Sequence, residues 1–172
     1  MTKFIRMTSL AATVAALTLG ATPAISAPVG VGNGPVTATA VIVKPLTLSK
    51  VSNLDLGSIV VQDAGTISMD NTGTITCPAT LTCAGTGTPA EYKVTGTNNQ
   101  VVQITKPDVT LTNSANPGTD LTLVMTGFGP TSVTLPNSGA TGINFKLGGS
   151  IAIPANVKDG TYTGNLNVTV NY

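Results

Sequence analysis

Histidine is absent from the 172 residues, and so is tryptophan. Without an imidazole, neither a Ser-His-Asp triad nor a Cys-His pair can be assembled. The commonest metal ligand is missing too. Only two cysteines occur, Cys77 and Cys83, enclosing Pro-Ala-Thr-Leu-Thr. A redox pair is usually spaced Cys-x-x-Cys, and a metal site needs more ligands. A structural disulfide is therefore expected, contributing about 2 kcal/mol on the chain-entropy model. Aromatic residues make up 3% of the chain, too few for the exposed ring platforms of a sugar-binding face. Charged residues make up 9%, far below the usual quarter, and no basic patch exists. Nucleic acid and anionic membrane surfaces are poor partners for such a chain. The seven carboxylates, Asp55, Asp63, Asp70, Glu91, Asp108, Asp120 and Asp159, are scattered singly, most of them in turn sequences. Asp70-Asn-Thr-Gly reads as a turn, because the other ligands of a calcium loop are missing. Gly30-x-Gly32-x-Gly34 is not placed between a strand and a helix, so it is no phosphate loop. The expectation is a protein that is not an enzyme and carries no cofactor or metal.

Long hydrophobic runs are also lacking. The one apolar stretch near the start, residues 10–19, is too short to span a bilayer. Lys3 and Arg6 precede it, Gly20 and Pro23 break it, and Ala24-Ile25-Ser26 offers small residues at a peptidase site. Residues 1–26 thus read as a secretory signal peptide, with cleavage after Ser26 favoured over cleavage after Ala27. No transmembrane segment is expected. Residues 27–172 are enough for one domain with its own core. Removing Lys3 and Arg6 leaves six basic residues against seven acidic ones, a net charge near −1. Export brings the two cysteines into an oxidising compartment, which agrees with the disulfide.

What is present is threonine, asparagine and glycine interleaved with aliphatics. Apolar residues recur at every second position, not at every third or fourth, so no helix is predicted. Residues 36–43 read as a strand, interrupted by Pro45, which has no amide hydrogen to give a sheet. Residues 46–51 and 54–61 follow, with Gly57 a bulge. Residues 65–69 and 74–77 flank the Asp70 turn. Residues 91–95 and 100–105 read as a hairpin across Gly96-Thr-Asn-Asn. Residues 109–112, 121–126 and 142–153 are further strands, the last interrupted at Gly148-Gly149. Residues 159–172 read as one long strand that ends at Tyr172. Tyr162, Gly164, Leu166, Val168 and Val170 share its apolar face, and Tyr162 fits either the core or a corner tyrosine. A strand ending there leaves no room for a closing strand, so an open sheet edge is expected. Short strands at a spacing of roughly ten residues indicate an all-β, antiparallel β-sandwich.

Three stretches carry a resemblance: Thr39-Ala-Val-Ile-Val-Lys-Pro-Leu-Thr-Leu48, Leu54-Asp-Leu-Gly-Ser-Ile59 and Asp159-Gly-Thr-Tyr-Thr-Gly-Asn-Leu-Asn-Val-Thr-Val-Asn-Tyr172. In their order the chain resembles the exported bacterial proteins that carry a domain of unknown function, DUF4402. That family is similar to spore coat U proteins and to the CFA/I-like, CS1-type pilins of the alternate chaperone–usher class. The resemblance implies an incomplete immunoglobulin-like β-sandwich over residues 46–172, preceded by an extension over residues 27–45. It implies a structural subunit of a cell-surface fibre or coat, assembled by strand exchange and able to serve adhesion. Val36, Ala38, Ala40 and Ile42 would be the donor face, given to a neighbour's groove. Leu166, Val168, Val170 and Tyr172 would form the strand where a chaperone docks. Partners would be other copies or related subunits, a periplasmic chaperone and an outer-membrane usher. The location would be the periplasm in transit and then the cell surface. Alanines at 38 and 40 and the flexible run Gly30-Val-Gly-Asn-Gly34 make a weaker donor than large aliphatics. The alternative is a monomeric binding module with residues 36–43 in its own sheet.

Overall fold

A computed structural model describes residues 37–137 and 141–172. The signal peptide expected over residues 1–26, and Val36, lie outside the described residues. By contacts the chain divides into Met1–Ala40 and a body, Val41–Tyr172. Residues 37–40 are exposed and in no strand.

Among the described residues the body is all-β, and every strand pairing is antiparallel. One three-stranded sheet places β6 (Ala90–Thr95) between β1 (Thr47–Ser52) and β11 (Ile143–Leu147). A second places β7 (Val101–Thr105) between β10 (Ser132–Thr134) and β14 (Thr169–Asn171). The six-stranded sheet runs β13 (Tyr162–Thr163), β8 (Val109–Asn113), β9 (Leu121–Val124), β12 (Gly149–Ile153), β3 (Gly65–Met69), β4 (Ile75–Thr76). β2 (Ser58–Val61) pairs with β5 (Leu81–Ala84).

Alternation built these strands as the sequence required. In β8, Val109, Leu111 and Asn113 are buried while Thr110 and Thr112 are exposed. In β7, Val102 and Ile104 are buried between three exposed residues. Buried aliphatics from all the sheets join one core, with Ile67, Val94, Val102, Leu123 and Leu147 at its centre. The architecture is an antiparallel β-sandwich.

Four sequence expectations change. Residues 37–43 form no strand. Strands β6 and β7 are not a hairpin: β6 pairs with β1 and β11, and β7 with β10 and β14. Turn chemistry at 96–99 reverses the chain but does not name its partner, and here the chain passes from one sheet to another. Gly57 is not a bulge but a left-handed turn, with φ +77° and its amide donating to Asp55 Oδ1 at 2.8 Å. The final strand is two short pieces. β13 pairs with β8 and β14 with β7, on either side of the break between β7 and β8. Pro107 lies in that break, and a partner strand cannot keep its ladder across it. The interruption at Gly148 is where the chain leaves the β6 sheet for the β3 sheet. A Cβ there would run into the Met69 carbonyl.

Candidate functional site

The sandwich is not sealed. Between residues 50–61 and residues 158–166 runs a cleft of about 1130 Å³. Its floor is core: Tyr92, Leu111, Leu123, Ile151 and Ile153 all line it, and none is more than 9% exposed. Tyr92 stacks on Phe145 with ring centroids 5.8 Å apart, and its burial pushes the phenol pKa up from 10.0. The walls are half-buried apolar side chains that pack only partly on that core: Leu54, Leu56, Ile59 and Val61 on one side, Val157, Tyr162 and Leu166 on the other. Aliphatic side chains at this depth have one face on protein and one on water.

Both walls are held by local chemistry. On the first, Asp55 and Thr88 exchange two backbone hydrogen bonds of 2.8 Å. Ile59 of β2 pairs directly with Cys83 of β5, whose disulfide to Cys77 is formed, with Cα atoms 6.2 Å apart. The disulfide thus closes the loop that leads into β5, behind the wall strand. On the second wall, the buried amide of Asn113 donates to Asp159 O at 2.9 Å and accepts from the Ala115 amide at 3.0 Å. Asn116 Nδ2 also donates to Asp159 O, at 2.9 Å. Gly160 has φ +133°, and a Cβ there would lie 2.6 Å from Asn113 Nδ2. Tyr162 Oη donates to Lys158 O at 2.9 Å, so it is a corner tyrosine, four residues from its acceptor.

At the other end of β1 the chain is pinned. Tyr172 Oη donates to Lys44 O at 2.6 Å and accepts from the Thr97 amide at 2.7 Å. Lys44 donates its own amide to Thr97 Oγ1 at 2.6 Å. Neither Lys44 nor Tyr172 lines the cleft.

Of the residues singled out in the sequence, Cys77 and Cys83 are joined. Ala38, Ala40 and Ile42 are exposed and outside any strand. Leu166, Val168 and Val170 are half-buried against the core, and Leu166 alone of the three lines the cleft. Tyr172 is 46% exposed and holds Lys44 as described. Sequence reasoning missed the cleft floor and Asn113. Asn113 reads as the first residue of a polar loop, and its burial follows only from its place between β8 and the 159–160 turn. Elsewhere, Asp70 caps its turn. Its carboxylate accepts from the Thr72 hydroxyl at 2.6 Å and the Thr74 amide at 2.9 Å, and these bonds hold its pKa below 3.8. Lys106 Nζ donates to Gly129 O at 2.7 Å, and burial lowers its pKa from 10.5. Among the described residues no three Cys, Asp or Glu side chains gather as metal ligands. No described helix is long and apolar enough to cross a membrane.

The fold and the cleft define a disulfide-bonded antiparallel β-sandwich with an uncovered strip of core. The family model described as "Domain of unknown function (DUF4402)" matches residues 46–172, and the chain belongs to that family. No curated protein and no solved structure matches it.

Proposed function

We propose that this protein is a structural subunit of a cell-surface fibre or coat, exported through its N-terminal leader. Its sandwich is completed when a strand from another chain lies in the cleft. The observation that carries this reading is the cleft itself, about 1130 Å³ with core residues as its floor. The similarity of the family to coat and pilus subunits, taken from the sequence motifs, agrees with it.

A β-strand is the occupant that suits such a strip. It brings side chains to the floor on alternate residues and hydrogen-bonding groups to the flanking backbone. Each aliphatic side chain fully buried contributes roughly 1.5–3 kcal/mol, and ordering the strand offsets part of the sum. A head-to-tail contact of this type does not close on itself, so it builds fibres. No catalytic group is needed. A chaperone and an usher belong to the same proposal, with the β14 edge as the docking strand.

The test is a denaturing gel run without boiling, on residues 27–172 and on a form starting at Leu46. The expected result is a ladder from the longer form that collapses to monomer on heating and is absent from the shorter form. A single heat-indifferent monomer band from both would overturn the reading and favour a monomeric binding module.

A further inference from the structure

We infer that Asp159-Gly160 is a self-modifying site. There the peptide bond moves from the α-carboxyl group of Asp159 to its side-chain carboxyl group, leaving an isoaspartyl linkage at the foot of the second cleft wall. This is the only aspartyl-glycyl step in the chain. Asp159 and Gly160 are both exposed, so water reaches the site. A side chain on the following residue would screen its nitrogen from the aspartyl carboxyl group, and glycine has none. The fold keeps glycine there, since at φ +133° a Cβ would run into Asn113.

The built part of the site is the pair of amide donors on Asp159 O. Asn113 is only 2% exposed. Its Oδ1 accepts from the amides of Ala115 and Asn116, at 3.0 and 3.3 Å, which leaves Nδ2 to face Asp159 O at 2.9 Å. Asn116 Nδ2 reaches the same oxygen at 2.9 Å, and the Thr119 hydroxyl ties down the Asn116 carbonyl at 2.7 Å. Two donors on one carbonyl oxygen draw electron density from its peptide, so the Gly160 amide gives up its proton more readily. They also have the geometry of an oxyanion hole.

The reaction needs no co-reactant but water. The Gly160 nitrogen bonds to Asp159 Cγ, and the carboxyl OH and the amide proton depart together as water. The five-membered imide that forms keeps Asp159 O on its α-carbonyl, still facing both asparagines. Water then adds to one of the two imide carbonyls. At the α-carbonyl, Asn113 and Asn116 stabilise the negative oxygen of the tetrahedral intermediate. Its bond to the Gly160 nitrogen breaks, and a proton of the added water goes to that nitrogen. The α-carboxylate left behind accepts charge-assisted bonds from the same two amides. Addition at Cγ restores the aspartyl bond. The donors thus favour the isoaspartyl product, whose backbone is one methylene longer just before Tyr162.

The test warms the mature chain at neutral pH and follows isoaspartate at residue 159. Enzymatic methylation of isoaspartyl carboxylates counts it, and mass spectrometry of the digest locates it. A free peptide of residues 155–164 is the reference and needs no variant. The folded chain is expected to convert at least about fivefold faster than the peptide, with a larger isoaspartyl share among its products. Asn116→Ala removes one donor at a half-buried position and is expected to slow conversion about fivefold while circular dichroism shows it folded, with Asn116→Ser as a second variant should the first unfold. Conversion in the folded chain at or below the peptide rate would overturn the inference. So would a folded Asn116 variant that converts as fast as the unaltered chain.

Discussion

Gly96 illustrates how one missing side chain governs a contact far away in sequence. A Cβ at this position would lie 2.5 Å from Tyr172 Oη and 2.8 Å from Leu46 Cδ2. The tyrosine reaches Thr97 and Lys44 only because residue 96 has no side chain in its path. Gly96→Ala is expected to displace the phenol and destabilise the body by about 1–3 kcal/mol. Urea unfolding followed by tyrosine fluorescence measures it, with Tyr172→Phe as the comparison, expected near 1 kcal/mol for the lost hydrogen bonds. An unchanged midpoint in Gly96→Ala would mean the pin is not holding the chain. Gly96 was legible as a turn residue. Its role as the space for Tyr172 was not, because the two positions are 76 residues apart and nothing local connects them.

At the scale of elements, the β3–β4 connection shows local chemistry acting alone. Asp70, Thr72, Gly73 and Thr74 make this turn's bonds locally, and the sequence Asp70-Asn-Thr-Gly read as a turn from its residue types. Because the Thr72 hydroxyl and the Thr74 amide favour the ionised carboxylate, the folded pKa lies below the unfolded one. The contribution of Asp70 is therefore present above its ordinary pKa and is lost as pH falls through the folded value. The stability difference between the protein and Asp70→Asn is expected to be largest near neutral pH and to shrink as pH falls through the acid range. Urea midpoints at several pH values check this, and a pH-independent difference would contradict it. The β6–β7 pair is the opposite case. Its turn is as local as the Asp70 turn, yet neither strand pairs with the other: β6 joins β1 and β11, and β7 joins β10 and β14. The short strands β5 and β10 went unread, being hidden in a disulfide loop and a loop-rich stretch.

At the scale of the whole molecule, water still touches the cleft walls and the exposed Val41, Ile42 and Val43. Assembly that covers both binds the folded state and not the unfolded one, so it raises apparent stability. The assembled form is expected to melt at least about 10 °C above the monomer released by heating and cooling. Scanning calorimetry on both forms measures the gap, and equal midpoints would show that assembly leaves the cleft uncovered.

The period-two pattern, the turn chemistry and the cysteine spacing determined an antiparallel, disulfide-bonded body with no helix among the described residues, because strand alternation and six-residue loop closure are local matters. Which strands share a sheet, where Asn113 and Tyr172 reach, and the strip of core left open between residues 50–61 and 158–166 were decided only by the tertiary structure. Those features arise from pairings between segments distant in sequence, whose energies depend on every neighbour packed beside them.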